Sequence, residues 1–214
     1  LVVRTPPDVL ASLAARAVAL GVLSHQVAVG HLSSIDHWVA GWIADLRLPA
    51  WDGPVHCLTL FGSSTFVLVA LGALAMWEWR RGGPRRLLVL IAALGVCVGL
   101  EAALRVSVSS WRPDAVGVPE GMDWWTRFRL AGYPSGHAFR SAFVFGWVIR
   151  GLTGSSIRWA GVARGVCLLM IGLVGLTRLY LNRHWASDIL GSWLVVLVVL
   201  AVVRWWEHTR SAVR

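Results

Sequence analysis

Long apolar runs dominate this sequence and constrain its fold more than any other feature. Five of them are clear, at Val55–Trp77, Leu87–Val108, Gly136–Ile149, Val162–Leu176 and Ile189–Val203. With their flanks, each approaches the roughly 20 residues that a helix needs to cross a bilayer core. Only 14% of the residues are charged, against about 25% in soluble domains. The pattern predicts an all-α, polytopic membrane protein, and the length of 214 residues suits one domain over residues 1–214.

Two segments before these runs are less strongly apolar. Val9–Val29 contains Arg16 and other polar residues, so it either crosses inside a bundle or lies in the membrane interface, and we favour crossing. In Ile35–Leu46, Trp38 and Trp42 share one face with other apolar residues at helical spacing, which predicts an amphipathic helix in the interface. The prediction is a six-transmembrane-helix bundle with an interfacial amphipathic helix after the first span.

The distribution of arginine predicts how the helices are oriented. All 20 basic residues are arginine, and the formal net charge is +9. With six crossings the arginine-rich loops fall on one side, which should be the cytoplasm because cytoplasmic loops are enriched in basic residues. These loops carry Arg80, Arg81, Arg85, Arg86, Arg150, Arg158, Arg204, Arg210 and Arg214, and Arg4 precedes the first span. Nucleic acid is not an expected partner, since no soluble basic face is present to bind it.

Three polar stretches lie at span ends on the opposite, extracytoplasmic side. The stretch nearest the C-terminus contains Arg178, His184 and Asp188. A helix that begins near His184 places His184 and Asp188 on one face, one turn apart. The carboxylate then accepts a hydrogen bond from one imidazole nitrogen and leaves the other as a nucleophile. A purely structural pair at a helix start is an equally good interpretation of this spacing alone.

The middle stretch is Pro134-Ser135-Gly136-His137, directly before an apolar run. Pro suits a first helical turn, and Gly permits close backbone approach. The free amides of that turn, with the Ser135 hydroxyl, would bind an anion, and His137 would give a proton to a leaving oxygen. The alternative is a plain helix start with Ser135 as its cap.

The first stretch contains Arg105 and Arg112, which are seven residues apart and are followed by Pro113. If the helix persists to Arg112, both arginines lie on one face, two turns apart. Taken alone, two interfacial arginines that extend to lipid head groups are the more common case. Together, the three stretches supply three arginines, two histidines and a carboxylate, which is a set that would hold a phosphoryl group and attack it with an imidazole.

Taken in order, the three stretches resemble the signature of the type 2 phosphatidic acid phosphatase superfamily. That signature reads Lys-x6-Arg-Pro, then Pro-Ser-Gly-His, then Ser-Arg-x5-His-x3-Asp. Here Arg105 stands where Lys is usual and Thr177 stands where Ser is usual. Arg keeps the charge with an altered geometry, and Thr keeps the hydroxyl. The six-span layout is similar to that of the bacterial integral-membrane branch of this family.

The resemblance implies a lipid phosphate phosphatase that needs neither a metal nor a cofactor. His184 would attack phosphorus to form a phosphohistidine, Asp188 would orient His184, and His137 would protonate the leaving group. The residues that would hold the phosphoryl oxygens are Arg105, Arg112, Arg178, Ser135 and Gly136. The expected partners are a membrane lipid phosphate and the bilayer, with the site on the extracytoplasmic face of the cell (inner) membrane. The oligomeric state is not predicted.

Several activities remain open at this point. Substrates compatible with the resemblance are undecaprenyl or another polyprenyl diphosphate, phosphatidylglycerol phosphate and phosphatidic acid. An outward-facing site slightly favours a polyprenyl diphosphate, because such a site suits carrier-lipid recycling. One alternative is a lipid phosphotransferase that uses the same site. Another is a membrane protein that binds anionic lipid without chemistry, although this does not explain the offsets of the two histidines and the aspartate.

Two residues near these stretches lie outside the family signature. Glu101 precedes Arg105 by one helical turn, so it either pairs with Arg105 and aims it or is a buried acid that Arg105 neutralises. Arg140 follows His137 by three residues. It either contacts a second phosphate or an acidic head group in the same pocket, or it extends to the membrane interface, which is the interpretation we favour from sequence.

Overall fold

The protein is almost entirely helical. The computed structural model describes residues 7–108, 110–115, 121, 123–153 and 155–211. Within these ranges a 3-10 helix, Leu60–Gly62, accompanies eight α-helices. They are α1 (Pro7–Ala28), α2 (Ser33–Asp45), α3 (Pro49–Thr59), α4 (Ser64–Ser107), α5 (Trp124–Leu130), α6 (Gly136–Leu152), α7 (Ala160–Tyr180) and α8 (Ala186–Ser211). The all-α prediction is confirmed.

Four of the described helices are long and apolar enough to cross a membrane, namely α1, α4, α7 and α8. Helix α6 is shorter, at 17 residues, and it lies at the centre of the core. Its side chains Phe139, Phe143 and Trp147 are each at most 1% exposed, and they pack against apolar residues of α4 and α8. The multi-pass membrane architecture predicted from the apolar runs is therefore confirmed.

Helix α4 is a hairpin of two antiparallel arms, residues 64–81 and 84–107. The chain reverses at Gly82 and Gly83, whose backbone is non-helical, and Gly83 has a φ of 62° that suits glycine. Glu78 and Arg86, on either side of the reversal, approach to 3.6 Å. Arg105, near the end of the second arm, donates to Pro134 O at 3.1 Å. Both arms therefore run alongside α6, in opposite directions.

The first arm of α4 corresponds to the predicted span Val55–Trp77, and the predicted start of that span at Val55 is wrong. Residues 55–59 belong to the separate helix α3, and α4 begins only at Ser64. Ser63 caps α4, because its Oγ accepts a hydrogen bond from Phe66 N at 3.2 Å. The α-helical conformation is interrupted around Gly62, where a Cβ would lie 2.8 Å from His137 O. This close approach to α6 depends on tertiary packing, which an apolar run does not reveal.

The N-terminal helices pack against α8 and the loop before α6. Arg16 of α1 donates to Leu197 O at 3.3 Å, and the hydroxyls of Ser24 and Tyr133 are hydrogen-bonded at 2.8 Å, so α1 runs lengthwise along α8. Helix α2 forms where the amphipathic pattern predicted it. Its Trp38 is 70% exposed, which leaves the apolar face of α2 on the outside of the bundle.

The bundle has two chemically different ends. At one end, called the Arg150 end, Glu78 is fully buried and accepts hydrogen bonds from Trp147 Nε1 at 2.9 Å and Arg150 at 2.8 Å. At the other, called the His184 end, α6 and α8 both begin, and Ser135 N donates to Asp188 O at 3.1 Å. The three polar stretches of the sequence therefore meet at the His184 end.

Candidate functional site at the His184 end

The middle and last stretches are joined by backbone contacts. Besides the Ser135–Asp188 hydrogen bond, the Ser192 hydroxyl lies 2.9 Å from Ser135 O and 2.8 Å from Asp188 O. Ser135 occupies the N-cap position of α6, but its side chain makes no capping hydrogen bond. The first turns of α6 and α8 are thereby fixed side by side, with the Ser135 hydroxyl left available.

His184 and Asp188 form a buried pair. His184 Nδ1 lies 3.2 Å from Asp188 Oδ2, and the two side chains are 3% and 0% exposed. The same carboxylate oxygen accepts a hydrogen bond from Trp185 N at 2.9 Å. Helix α8 begins at Ala186, two residues after His184. Because the carboxylate accepts from Nδ1, the proton of the neutral imidazole lies on Nδ1 and the lone pair lies on Nε2.

The surroundings of His184 keep its imidazole neutral. Burial lowers the pKa of His184 well below its ordinary value, and the positive charges of Arg112, Arg178 and Arg105 lower this pKa further. A neutral imidazole near pH 7 is a competent nucleophile. The same three guanidinium groups are near enough to attract an anion to it.

A loop, and not a helix, brings Arg112 near His184. Helix α4 ends at Ser107, and Val108 is extended, so the condition under which Arg105 and Arg112 share a helical face is not met. Instead, Trp111 forms an isolated antiparallel bridge with Ala131, and Trp185 Nε1 donates to Trp111 O at 2.7 Å. These contacts place the backbone of Arg112 beside the third polar stretch.

Gly132 shows how close these segments come. A Cβ at Gly132 would lie 3.0 Å from Asp188 Oδ2 and 3.2 Å from Arg112 N. Gly132 N also donates to Ser110 O at 2.7 Å. A side chain at position 132 would displace Asp188 or the backbone of Arg112. Gly132 therefore lies between these two residues and allows them to come close together.

Arg105 is held by two acceptors. One of its terminal nitrogens donates to Glu101 Oε1 at 2.8 Å and to Pro134 O at 3.1 Å. Its guanidinium also lies over the Phe128 ring, 5.5 Å from the centroid. The structure therefore places Glu101 in direct contact with Arg105, one helical turn away, as the spacing suggested.

Arg178 and its neighbours supply donors that the protein does not use. Arg178 donates one terminal N–H to Thr59 Oγ1 at 3.0 Å, which anchors α7 to α3. The buried donors here that have no hydrogen-bond partner among the described residues include Arg178 Nε, Arg112 Nε and Ser135 Oγ, and the acceptor Asp188 Oδ1 has none either. Buried donors usually find a partner, so these donors are suited to receive the oxygens of an anionic ligand.

Arg140 contacts the second histidine. Arg140 Nε donates to Gly62 O at 3.0 Å, and a terminal nitrogen lies 3.3 Å from His137 Nδ1. Arginine has no acceptor, so Nδ1 of His137 accepts and its proton lies on Nε2. The guanidinium of Arg140 therefore contacts His137 and the backbone at Gly62.

Gly136 lies beneath the charged groups of this end. A Cβ there would be 3.3 Å from a terminal nitrogen of Arg105, 3.3 Å from one of Arg140 and 3.4 Å from Glu101 Oε1. The absence of a side chain therefore lets Glu101 sit close to both arginines.

In the described part of the chain no group of three or more His, Cys, Asp or Glu residues is arranged to hold a metal ion.

Asp36 is a contributor that the sequence interpretation missed. Its carboxylate accepts hydrogen bonds from Ser187 N at 3.0 Å and Ser187 Oγ at 2.6 Å, and so caps the first turn of α8 next to Asp188. Burial raises the pKa of Asp36, while the hydrogen bonds from Ser187 oppose that shift. The only signal in the sequence was an acidic residue within the amphipathic segment, which is ordinary for a solvated helix face.

Known proteins share both the sequence pattern and the fold. Residues 85–212, more than half of the chain, match the family model of the PAP2 superfamily. Phosphatidylglycerophosphatase B of Bacillus subtilis (strain 168) is 23% identical over 194 residues, which cover 87% of this chain and 90% of that protein. The crystal structure of a transmembrane PAP2 type phosphatidylglycerolphosphate phosphatase from Bacillus subtilis superposes with a TM-score of 0.75 at 18% identity, and the match covers 92% of this chain and 96% of that one. This chain belongs to the PAP2 superfamily.

Proposed function

We propose that this protein is a lipid phosphate phosphatase that works through a phosphohistidine on His184. The observation that carries the proposal is the buried His184–Asp188 pair, 3.2 Å apart, with a neutral imidazole beside three arginines. Positioned cations and amide groups provide most of what phosphoryl transfer requires. Membership of the PAP2 superfamily supports the same activity.

The first chemical step transfers the phosphoryl group to His184. The Nε2 lone pair attacks phosphorus in line with the leaving oxygen, so an N–P bond forms as the O–P bond breaks. Nδ1–H remains hydrogen-bonded to Asp188, which stabilises the positive charge that develops on the ring. The negative charge of the bound phosphoryl group favours the doubly protonated form of His137, which gives its Nε2 proton to the leaving oxygen and becomes a neutral imidazole. The lipid leaves as an alcohol, or as a monophosphate if the substrate is a diphosphate.

The second step regenerates the enzyme. Water attacks phosphorus opposite His184, His137 Nε2 takes a proton from that water, and the N–P bond breaks. Phosphate and free His184 result. In this scheme Arg140 is a positioning residue, because its contacts with Gly62 O and His137 Nδ1 hold the imidazole ring in place beside the reacting oxygens.

Arg105, Arg112 and Arg178 supply the positive charge in this mechanism. Their guanidinium groups, with the Ser135 hydroxyl and the amides at Gly136, would bind the three phosphoryl oxygens as charge develops on them. A site that is already strongly cationic repels a divalent metal ion, so we propose a reaction that needs none.

The membrane arrangement we propose has six crossings, made by α1, the two arms of α4, α6, α7 and α8. Helix α2 would lie in the interface with Trp38 outward. The His184 end would face the extracytoplasmic side, because the arginine-rich segments gather at the Arg150 end. A lipid would then present its phosphate at the level of the head groups while its chains stay in the bilayer.

Phosphatidylglycerol phosphate is the first substrate to test. A cavity of about 240 Å³ adjoins Arg105 and is lined by Trp111, Trp124 and Phe128, which suits the less polar part of a lipid beside the phosphate. The similar proteins are named for phosphatidylglycerol phosphate. Phosphatidic acid and a polyprenyl diphosphate complete the panel.

The test is release of inorganic phosphate from each lipid by purified protein in detergent. His184→Ala should abolish release, whereas His56→Ala should not, since His56 is exposed and its ring contacts Asp52 O within α3. Labelled donor lipid mixed with acceptor lipids separates hydrolysis from phosphotransfer. The proposal fails if no lipid phosphate is cleaved, or if His184→Ala is as active as the wild type.

A further inference from the structure

A second cationic site lies at the Arg150 end, away from the catalytic machinery. A cavity of about 700 Å³ opens there between the reversal of α4, the end of α6 and the end of α8. Its charged lining residues are Arg81, Arg85, Arg86, Arg150, Glu207 and Arg210. Helix α6 is 17 residues long, or about 25 Å at 1.5 Å per residue, and His137 lies in its first turn whereas the cavity lies at its last.

The positive charge of this cavity is only partly neutralised. Arg150 pairs with Glu78 at 2.8 Å and with Glu207 at 2.6 Å, and Arg86 lies 3.6 Å from Glu78. By contrast, Arg81, Arg85 and Arg210 form no ion pair with a described carboxylate. A cavity wall with unpaired guanidinium groups attracts an anion, and arginine suits the geometry of phosphate oxygens.

Trp206 holds two of these arginines at the cavity rim. The guanidinium carbon of Arg85 is 5.4 Å from the centroid of the Trp206 ring, and that of Arg210 is 4.5 Å from it. Cation–π contacts of this kind restrain the side chains while leaving their N–H groups free. Arg85 and Arg210, which come from α4 and α8, are thereby brought to one ring.

An apolar groove continues from the cavity along the bundle. It has a volume of about 500 Å³ and shares Arg85, Val89, Trp206 and Arg210 with the cavity. Its walls are apolar side chains of the second arm of α4 and of α8, including Ala92, Val96, Val199 and Val202. The Trp205 Nε1 donor, buried in this wall, has no hydrogen-bond partner among the described residues.

We propose that the cavity and groove together bind one anionic phospholipid that is not a substrate. Its phosphate would lie among Arg85, Arg86 and Arg210, and one acyl chain would follow the groove between Ala92 and Val199. The joined groove is the reason for assigning a lipid rather than free phosphate, since inorganic phosphate gains nothing from an apolar wall. Basic pockets between membrane helices bind anionic head groups in this way. This proposal does not depend on the catalytic activity.

Lipid binding is measured by native mass spectrometry of the full chain in detergent. Phosphatidylglycerol is titrated against phosphatidylcholine, and inorganic phosphate is added as a competitor. We expect phosphatidylglycerol to bind at least tenfold more tightly than phosphatidylcholine, and millimolar phosphate not to displace it. Equal binding of the two lipids would overturn the proposal. Displacement by phosphate would also overturn it and would indicate a site for a free anion.

Variants locate the site. Arg85→Gln with Arg210→Gln should weaken phosphatidylglycerol binding at least tenfold, and Ala92→Phe should weaken it by filling the groove. Arg158→Gln with Arg204→Gln removes the same charge from exposed positions outside the cavity and should leave binding unchanged. Arg85 and Arg210 are exposed, so their replacement does not disturb the core. Wild-type affinity for phosphatidylglycerol in the Arg85/Arg210 double variant would contradict the proposal.

Cross-linking tests the same assignment on the unaltered protein. Phosphatidylglycerol with a photoreactive group on its acyl chain should label peptides within residues 85–96 and 199–210. Labelling found only at the His184 end would contradict a second site. Phosphate release is measured in parallel, so that loss of the lipid site and loss of the phosphatase activity are distinguished.

Discussion

Ser187 donates two hydrogen bonds to Asp36, from its backbone N at 3.0 Å and from its hydroxyl at 2.6 Å. This contact joins α2 to the first turn of α8, directly before Asp188. An N-terminal cap normally comes from the same helix, but here a different helix provides it. The position of the His184–Asp188 pair therefore depends on α2 being docked.

Asp36→Ala should destabilise the protein and reduce its activity together. Loss of the cap costs about 1 kcal/mol, and the Ser187 donors lose their acceptor. Thermal unfolding and kcat in the same detergent measure the two effects. In a double-mutant cycle with Ser187→Ala, the second substitution should add little to the first, because both remove one contact. Strictly additive losses would mean that the contact does not act as a unit.

Arg112→Gln should move the acid limb of the pH profile to higher pH. Arg112 is the strongest of the charges that lower the pKa of His184. Its removal raises that pKa, so the imidazole takes up a proton, and loses its nucleophilic lone pair, at a higher pH than in the wild type. The measurement is kcat/KM against pH with one substrate, whose own ionisation is the same for both proteins.

Arg183→Gln is the matched control for that experiment. It also removes a positive charge near the site, but Arg183 is exposed and paired with Asp114 at 2.6 Å. Its profile should overlay that of the wild type. An Arg112→Gln profile without any shift would argue against His184 as the titrating nucleophile.

Arg140→Met should slow the reaction most for substrates whose leaving oxygen needs a proton. Without the Arg140 contact at His137 Nδ1, the imidazole ring is no longer held in the orientation that directs Nε2 at the leaving oxygen. General acid catalysis contributes about 100-fold or more, so we expect at least about a tenfold loss of kcat with a lipid alkyl phosphate. An aryl phosphate with an acidic leaving group should show little loss. Equal losses for both substrates would indicate a merely structural role.

Glu101→Gln should reduce catalysis through Arg105. The neutral amide holds the guanidinium more weakly than the carboxylate does at 2.8 Å. We expect about a tenfold drop in kcat/KM, which corresponds to ~1.4 kcal/mol. In the Arg105→Gln background, Glu101→Gln should cause no further drop. If Glu101→Gln lowered the melting temperature and left kcat/KM unchanged, Glu101 would serve only to neutralise a buried charge.

Local spacing explains which features were predictable from sequence. His184 and Asp188 are four residues apart, so their contact depends on one turn of chain. The reversal at Gly82 and Gly83 was also foreseeable, since two glycines followed by Pro84 between four arginines interrupt an apolar helix. The residues that we propose for the phosphoryl chemistry were identifiable because their types and order match the family signature.

Contacts between distant segments were not predictable in the same way. Arg140 bonds to Gly62, 78 residues away, and nothing near either residue marks the partner. Arg112 arrives through the bridge between Trp111 and Ala131, so extrapolating helix α4 could not place it. The boundary between α3 and α4 depends on Gly62 meeting α6. In each case the decisive term is packing between elements, which neither periodicity nor composition encodes.

The two-glycine reversal in α4 fixes the position of Arg105 through the length of the second arm. Because no slack loop joins the arms, the number of residues between Gly83 and Arg105 sets both the height and the angular phase of the Arg105 side chain. One added residue would shift Arg105 by about 1.5 Å and turn it by about 100°, away from Pro134. The length of this arm is therefore constrained even where inserted residues would face only lipid, because adding a whole turn restores the angular phase of Arg105 but still moves it by about 5.4 Å along the axis.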